Sequence, residues 1–363
     1  PSRLQEGRPV KWTSDKIQEA RSLKRGNVTW DEVGKHFGVS ANSARNAVFK
    51  AKEPTNESAL HDRIRDLERL ADTLSSKLAA ARKPRKPLSG RKPAKTEGSF
   101  IRVIVPDLHG CFHDPVAFAA FLHDLKALDP REVVIIGDLI DCGGFLAEHH
   151  TWGYVAEAEY CYEDDIAAAN SLLDAMQEAA PSAKFYFLEG NHERRVETWC
   201  LTAVLRSKKG NPRDIERLRD AMSPERVLSL RDREIEFFRQ GEFHHDLRIR
   251  ATIKLGDCFF THGSRTGPGA ALSTLRDFSA PVVFGHTHQI AETSLNNVKS
   301  GAIAAWNVGC LCNLQPLWNH DRKTAWNHGY GVQFCLPSGL FQHVTAHIID
   351  GRSMLIPLTQ KVS

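Results

Sequence analysis

The sequence contains, at residues 103–109, the stretch VIVPDLH. Its first three residues are apolar and β-branched, and the run is too short for a helix, so it indicates a buried strand of the parallel type. Asp107 and His109 follow directly after this strand. Because ligands of open α/β sheets bind beyond the carboxyl ends of the strands, the stretch predicts a polar site at one edge of a sheet.

Four more parts of the chain repeat this order of an apolar run followed by metal-binding side chains. The apolar runs are residues 133–136, 185–188, 259–260 and 282–284. The polar fragments after them are Gly137-Asp138, Gly190-Asn191-His192-Glu193, Thr261-His262-Gly263 and Gly285-His286-Thr287-His288. Two metal ions about 3.5–4 Å apart need a bridging carboxylate and several imidazoles from different strands. One fragment alone is weak evidence, but all five in order predict a dinuclear metal centre that acts on phosphate esters.

In these fragments the chain resembles the calcineurin-like metallophosphoesterase superfamily, over about residues 101–313. The resemblance implies an α/β (α+β) fold, a β-sandwich of two mixed sheets flanked by helices. Late strands at residues 302–308, 331–336, 341–348 and 353–357 would fill the second sheet. Carried over residue by residue, it implies first-metal ligands Asp107, His109 and His288, second-metal ligands Asn191, His262 and His286, and the bridge Asp138. Such mixed ligation suits Mn, Fe, Zn, Co or Ni better than Mg or Ca, and Mn is the first expectation.

The resemblance also implies catalytic side chains beside the metals. His192 matches the family's unliganded histidine, which contacts the phosphate and acts as general acid or stabilises the transition state. Asp141 matches the acid that orients this histidine in the protein phosphatase branch. That branch continues with Arg-Gly, whereas this chain has Cys142-Gly143-Gly144 and lacks the arginine that holds a phosphomonoester. Arg194 or Arg195 could replace it, or the site could prefer diesters.

Residues 12–51 are expected to form three short helices. Thr29 and Glu32 have the spacing of a capping box, and Gly38-Val39-Ser40 is expected to be a tight turn before a helix that starts at Ala41. The pattern resembles helix-turn-helix DNA-binding domains over about forty residues. Its groove-facing candidates are Asn42, Ser43, Arg45 and Asn46, and its core would be Val33, Phe37, Val39, Ala44 and Val48. Helix-turn-helix units also dock proteins, so both roles stay open.

A heptad pattern follows, with Leu60, Leu67 and Leu74 at one core position. It predicts a helix at 56–82 that forms either a homodimeric coiled coil through residues 60–81 or a single amphipathic helix. The next segment, 83–99, is predicted to be a basic, proline-rich linker that follows DNA phosphates or is merely a solvated spacer. Its phosphate-binding candidates, with the last helical residue, are Arg82, Lys83, Arg85, Lys86, Arg91 and Lys92. The predicted domains are therefore 1–55, 56–82, 83–99 and 100–363.

The charge is divided unevenly along the chain. Residues 1–99 hold 22 Lys and Arg against 12 Asp and Glu, while the remainder holds 26 against 32. This division fits an N-terminal segment attracted to a polyanion and a separate acidic metal site. The eight cysteines lack a CxxC pair and are expected to be reduced, with Cys310 and Cys312 as core residues. Without a signal peptide or an apolar run of about 20 residues, the expectation is a cytoplasmic protein with no membrane contact.

Three functions are compatible with these features. The leading hypothesis is a DNA phosphodiesterase, a nuclease, in which the N-terminal region brings DNA to the two metals. The alternative is a phosphomonoesterase for phosphoproteins or nucleotides, whose N-terminal region only localises it. The third is a DNA-binding regulator with a catalytically silent phosphoesterase fold.

Overall fold

The computed structural model describes residues 11–25, 28–50, 98–143, 160–205, 212–245, 247–298, 301–316 and 323–355. Contacts divide the chain into a small N-terminal unit and a large unit. The predicted coiled-coil helix at 56–82 and the basic linker up to residue 97 lie outside the described residues. No helix in the described ranges is long and apolar enough to cross a membrane.

The described part of the small unit consists of three helices, as the sequence predicts. They are α1 (Ser14–Arg25), α2 (Trp30–Phe37) and α3 (Ala41–Lys50). The Thr29 side chain accepts the backbone N–H of Glu32, and the Glu32 carboxylate accepts the N–H of Thr29, which confirms the predicted capping box. Gly38 ends α2 in the left-handed conformation, with φ 64°. A residue without Cβ adopts this conformation without steric strain. Val33 and Ala44 are fully buried together with Ala20 and join α1, α2 and α3.

The large unit contains two sheets. Seven of the described strands form the first sheet in the order β12-β11-β10-β1-β2-β3-β4. These strands are β1 (Phe100–Val105), β2 (Glu132–Ile135), β3 (Lys184–Leu188), β4 (Ile235–Phe238), β10 (Gly329–Cys335), β11 (Phe341–Ile349) and β12 (Arg352–Ser353). The second sheet has the order β5-β6-β7-β9-β8. It consists of β5 (Thr252–Leu255), β6 (Cys258–Thr261), β7 (Val282–Phe284), β8 (Ile290–Asn297) and β9 (Gly301–Val308).

Both sheets are mixed, and the strands that precede the polar fragments run parallel. β1, β2 and β3 are parallel to one another, and so are β6 and β7. The prediction that the late strands fill the second sheet is wrong for three of the four, because β10, β11 and β12 belong to the first sheet. The reason is that β1 is a central, buried strand, so the backbone N–H and C=O groups along both of its edges need a partner strand. Val103 is opposite Val133 of β2 on one side and Val332 of β10 on the other.

The two faces of the first sheet have different partners. Val103 and Val105 of β1 face the helices, where they share a buried cluster with Phe121 and Leu173. Ile104, between them in the sequence, faces the second sheet and packs in a cluster with residues such as Phe260 and Val283. The covering helices are α4 (Pro115–Leu128) and α5 (Tyr162–Ala179), and the second sheet is covered by α9 (Ala270–Phe278). The fold is therefore the predicted β-sandwich flanked by helices.

Three more helices complete the large unit. They are α6 (Asn191–Leu205), α7 (Pro212–Met222) and α8 (Pro224–Val227). α5, which lies between β2 and β3 in the sequence, is part of the main core.

His343 on β11 predicts a measurable acid sensitivity. Its ring lies 4.7 Å from that of Trp306 on β9, and its Nδ1 has no hydrogen-bond partner among the described residues. Burial lowers the pKa of His343 to about 3. In the unfolded state the pKa of this histidine is about 6.5, so below that pH the unfolded state binds more protons than the native state. The free energy of unfolding therefore decreases as the pH falls below about 6.5. We expect acidification from pH 7 to 5 to cost about 2 kcal/mol through this residue.

Urea unfolding at both pH values tests this expectation. His343→Gln should reduce the loss of stability between pH 7 and 5 by about 2 kcal/mol. The matched control is His347→Gln, which changes an exposed histidine on the same strand. An unchanged pH dependence in His343→Gln would show that His343 is not the group responsible.

Candidate metal centre

The structure brings the five polar fragments together at the carboxyl ends of parallel strands. Each fragment follows its strand directly, and both sheets contribute. Asp107 and His109 follow β1, Asp138 follows β2, Asn191 follows β3, His262 follows β6, and His286 and His288 follow β7. All seven predicted ligands therefore meet at one end of the sandwich.

The first group of ligand atoms belongs to Asp107, His109, Asp138 and His288. These atoms lie within 4.8 Å of one another. Nε2 of His288 is 2.8 Å from Oδ2 of Asp107 and 3.1 Å from Nε2 of His109. All four residues are buried. Buried carboxylates and imidazoles that face one another at these distances fit a divalent cation, which would compensate their charge.

The second group contains Asp138 again, with His262, His286 and Asn191. Ligand atoms of Asp138, His262 and His286 lie within 4.8 Å of one another. Nε2 of His262 is 3.2 Å from Oδ2 of Asp138 and 2.8 Å from Oδ1 of Asn191. Nδ1 of His262 donates to the carbonyl of Ile136 at 2.9 Å, which leaves Nε2 for the centre. Asp138 is thus shared by both groups, the position expected of a bridging carboxylate.

Charge interactions keep the shared carboxylate ionised. Burial acts to raise the pKa of Asp138, but His192, His262 and His109 lower it well below its usual value. The pKa of Asp107 is lowered in the same way, mainly by His288. In turn, Asp138 raises the pKa of His262 to about 10 although burial opposes this. The positive charge that this shift favours on His262 is the charge that a bound metal would replace.

Four of the seven candidate ligands have a left-handed backbone. The φ angles are 54° at His109, 50° at Asp138, 71° at His286 and 57° at His288. Residues with a Cβ rarely adopt this conformation, and the surrounding contacts must impose it. The sequence gives no sign of it, because none of these positions is a glycine. The strained turns direct four ligands into one small volume.

Glu193 supports this backbone and has no role in the sequence analysis. Its carboxylate accepts the backbone N–H groups of Asp138 at 3.0 Å, Ile140 at 2.9 Å and Gly190 at 2.9 Å. Burial raises the pKa of Glu193 to about 7, and the neighbouring Asp138 contributes to this shift. Glu193 therefore ties the loop after β2 to the loop after β3. Its only sequence signal is an acid in the first turn of a helix.

Asp165 on α5 has a similar role, again not anticipated. Its carboxylate accepts the N–H groups of Cys142 at 3.0 Å and Asp141 at 3.1 Å, and the Tyr160 hydroxyl at 2.7 Å. Burial raises the pKa of Asp165 to about 6, with a contribution from Asp141. This acid fixes the loop that carries Asp141. One acidic residue among several at the start of α5 gives no sequence signal for that role.

His192 lies beside His109 and Asp138 and is held by hydrogen bonds to a backbone carbonyl and to Asp138. Its Nδ1 donates to the carbonyl of Asp141 at 2.5 Å, and its backbone N–H donates to Oδ1 of Asp138 at 2.9 Å. The Asp141 carboxylate is 2.9 Å from Nδ1 of His109 but 3.4 Å from Nδ1 of His192. The resemblance implies an acid that orients His192; here the closest carboxylate contact is to His109. Burial acts to raise the pKa of Asp141, but His109 and His192 lower it.

Of the two arginines considered from the sequence, Arg194 and Arg195, it is Arg195 that lies beside His192. Nη2 of Arg195 is 2.9 Å from Nε2 of His192, and Nη1 donates to the carbonyl of Asp141 at 3.0 Å. The Arg194 guanidinium lies against Gly241, where an added Cβ would be 3.2 Å from Nη1. Residues three apart on a helix share a face, and α6 begins at Asn191, so Arg195 joins His192.

The predicted nucleic-acid contacts are only partly described. Asn42, Ser43, Arg45 and Asn46 are all exposed on α3. The six basic candidates lie outside the described residues, namely Arg82, Lys83, Arg85, Lys86, Arg91 and Lys92.

Comparison with known proteins gives a family match. Residues 102–290 match the family described as calcineurin-like phosphoesterase. Similar solved structures include Vacuolar Protein Sorting 29 from Cryptosporidium parvum, with 12% identity, a TM-score of 0.34, and coverage of 71% of this chain and 95% of that chain. YfcE, a phosphoesterase from E. coli, has 15% identity, a TM-score of 0.28, and coverage of 67% and 98%. Nuclease MPE from Pseudomonas putida has 11% identity, a TM-score of 0.26, and coverage of 67% and 87%. No curated protein matches the chain.

Proposed function

Since the chain belongs to the calcineurin-like phosphoesterase family, we propose that it is a dinuclear-metal phosphodiesterase that hydrolyses DNA. The observation that carries the hydrolase proposal is the pair of buried ligand groups that share Asp138. The family implies a metal-dependent hydrolase of phosphoester bonds, and no candidate ligand of this chain is missing from the two groups.

The donor set defines which residues would hold the metals. Asp107, His109 and His288 would hold the first ion, Asn191, His262 and His286 the second, and Asp138 both. When bound, two divalent ions would neutralise phosphate oxygens and lower the pKa of a water molecule. We propose Mn as the working metal because the carboxylate and amide oxygens suit it, and the imidazoles make Fe, Zn, Co or Ni alternatives.

His192 is proposed to handle the proton of the leaving oxygen. Because its Nδ1–H donates to the Asp141 carbonyl, Nε2 is the ring nitrogen that would exchange a proton with substrate, and Nη2 of Arg195, 2.9 Å from it, would then move aside. That nitrogen is 3.8 Å from Oδ2 of Asp138 and therefore faces the centre. A histidine in this place protonates the departing oxygen when it is charged and stabilises it by a hydrogen bond.

The surroundings of His192 favour a diester. A phosphomonoester carries an additional negative oxygen and needs additional cationic donors. The nearby Arg195 already directs Nη1 to the carbonyls of Asp141 and Cys142, and Nη2 to His192. Position 142, where the protein phosphatase branch has arginine, is cysteine. The presence of Arg195 beside His192 also favours the monoesterase alternative. If its guanidinium turned toward the substrate, it would bind the additional negative oxygen of a monoester.

DNA as the substrate is supported by the exposed face of α3. Ala44 of this helix is buried, while Asn42, Ser43, Arg45 and Asn46 face solvent. In a helix-turn-helix pair, amide, hydroxyl and guanidinium groups near the start of the second helix, here α3, are the groups that bind base edges in the major groove. The excess of basic residues in the first 99 positions adds attraction to phosphates.

The loop between β4 and β5, whose two ends are bonded to residues near Asn191 and His262 in the sequence, offers a second nucleic-acid contact. At the first end of the loop, the Glu189 carboxylate accepts the backbone N–H of Gln240 at 2.7 Å. At the other end, the hydroxyl of Thr261, the residue before His262, donates to the carbonyl of Ala251. Phe243 on this loop is 56% exposed and has the Arg250 guanidinium over its ring. An exposed aromatic ring with a cation fits an unpaired base, which such side chains bind by stacking.

Phe243→Ala should therefore weaken the binding of single-stranded DNA. We expect KM for a single-stranded oligonucleotide to rise about 10-fold, since stacking on one base contributes about 1–3 kcal/mol. The kcat/KM for a small diester without a base should stay within about 2-fold. Phe334→Ala, at an exposed aromatic residue of β10, is the matched control. Equal KM values for Phe243→Ala and Phe334→Ala would contradict a stacking role for Phe243.

A pair of model substrates separates the two candidate enzyme functions. The Mn-loaded protein is given bis-p-nitrophenyl phosphate, a diester, and p-nitrophenyl phosphate, a monoester. We expect kcat/KM to favour the diester by at least about 10-fold, a difference of about 1.4 kcal/mol in transition-state binding. A preference for the monoester by the same factor would overturn the diesterase proposal and favour the phosphatase.

A further inference from the structure

A thiol lies against the first ligand group. Sγ of Cys312 and ring nitrogens of His109 and His288 lie within 4.8 Å of one another, and all three residues are buried. The sequence pattern of Cys310-Leu311-Cys312 suggests only core residues. The structure instead places one of these sulfurs with two candidate ligands of the first metal.

Backbone contacts fix the position of Cys312. The N–H of Leu311 donates to the carbonyl of Asp107 at 2.8 Å, and the N–H of Asn313 donates to the carbonyl of Phe112. Nε2 of His328 donates to the carbonyl of Cys312 at 2.8 Å. The segment therefore runs beside the loop that carries Asp107 and His109, and these bonds hold the backbone of Cys312 next to the first ligand group.

We propose that Cys312 is a ligand of the first metal position and makes this position selective for a thiophilic divalent ion, Zn²⁺ or Fe²⁺. The inference rests on the proposed function in one respect, that the first position holds a metal. Thiolate and imidazole ligands favour zinc and iron, whereas Mn²⁺ prefers carboxylate oxygen. On binding, the thiol loses its proton to solvent and a metal–sulfur bond forms, with no change of oxidation state.

The two positions then differ in chemistry. The first offers the sulfur of Cys312 beside two imidazoles, whereas the second group of described residues contains oxygen and nitrogen atoms only. A thiophilic ion in the first position and Mn²⁺ in the second give a mixed-metal centre. Cys312 determines which ion enters the first position.

The neighbouring thiol provides a matched control. Cys310 is equally buried and belongs to the same segment, but it is not in any ligand group of the described residues. Its sulfur lies 3.6 Å from the carbonyl of Asn327. Cys310→Ser therefore makes the same chemical change at a sulfur that contacts Cys312 but belongs to none of these groups, and it keeps the proposed ligand itself.

The experiment uses the metal-free full-length protein and Co²⁺ as a spectroscopic probe for Zn²⁺. Wild type and Cys310→Ser should develop the near-ultraviolet thiolate-to-cobalt absorption band, and Cys312→Ser should lose it. The Zn²⁺ affinity of Cys312→Ser, measured by competition with a chelator, should fall at least about 10-fold, whereas its Mn²⁺ affinity should change by less than about 3-fold. The retained Mn²⁺ affinity also shows that the variant folds.

Two results overturn the inference. The first is a wild-type protein saturated with Co²⁺ that shows no thiolate band, a readout that needs no variant. The second is a Cys312→Ser protein with the wild-type band and Zn²⁺ affinity. If that variant does not fold, X-ray absorption of the wild-type Zn²⁺ protein decides whether sulfur is a ligand. Diester hydrolysis by the wild-type protein is measured separately. A protein that shows the thiolate-to-cobalt band but hydrolyses no diester contradicts only the proposed function. A protein that hydrolyses the diester but shows no such band contradicts only this inference.

Discussion

Asp138→Asn is expected to reduce kcat/KM for a diester by about 10³-fold or more. Asp138 is the residue shared by both ligand groups, so this change weakens both metal positions at once. The neutral amide also removes the negative charge that raises the pKa of His262. We therefore expect bound metal, measured by elemental analysis after gel filtration, to fall from two ions per chain to one or fewer.

The matched control for this variant is Asp129→Asn. Asp129 is exposed and, like Asp138, has a positive φ, which asparagine tolerates as well as aspartate does. Asp129→Asn should keep both activity and metal content. If Asp138→Asn also kept both, the two ligand groups would not be the metal centre that carries the activity. A wild-type protein that binds metal but hydrolyses no phosphoester would instead fit a catalytically silent regulator.

His192→Ala is expected to lower kcat about 10²–10⁴-fold while the protein keeps its metals, because general acid catalysis contributes an effect of this size. The contact from His192 to Asp138 is made by the backbone N–H and survives the substitution. Loss of turnover without loss of metal therefore distinguishes a proton-transfer role from a role in metal binding. The leaving group of bis-p-nitrophenyl phosphate, p-nitrophenolate, departs without a proton. The kcat for this substrate should therefore fall less than the kcat for DNA.

The control for His192→Ala is His123→Ala, at an exposed histidine of α4. It should leave kcat and metal content unchanged. A His192→Ala protein that lost both metals would show that His192 supports the ligands, and one with wild-type kcat on DNA would contradict its proposed role in proton transfer.

The ligand positions could be predicted because the signal is local. A short β-branched run followed by Asp107 or Asp138 identifies both a strand and its carboxyl end, and parallel strands place those ends together. The capping box of Thr29 and Glu32 was also predictable, because the interaction spans three residues. Local patterns of this kind do not depend on how distant parts of the chain meet.

The features that the sequence analysis missed depend on distant contacts or on helix phase. Which sheet receives β10 depends on the free edge of β1, more than two hundred residues earlier in the chain. The choice of Arg195 over Arg194 depends on the residue at which α6 begins. Glu193 and Asp165 act through backbone N–H groups of loops far from them in sequence. A sequence pattern carries no information on such pairings.

The most direct test of the account is cleavage of labelled linear and closed-circular DNA by the Mn-loaded protein, with Asp138→Asn and His192→Ala proteins purified in parallel. We predict cuts by the wild-type protein and the loss of these cuts in both variants, which excludes a contaminating nuclease. The circular substrate shows whether free ends are needed. A wild-type preparation that cleaves neither DNA but hydrolyses a phosphomonoester would contradict the account and make the chain a phosphatase.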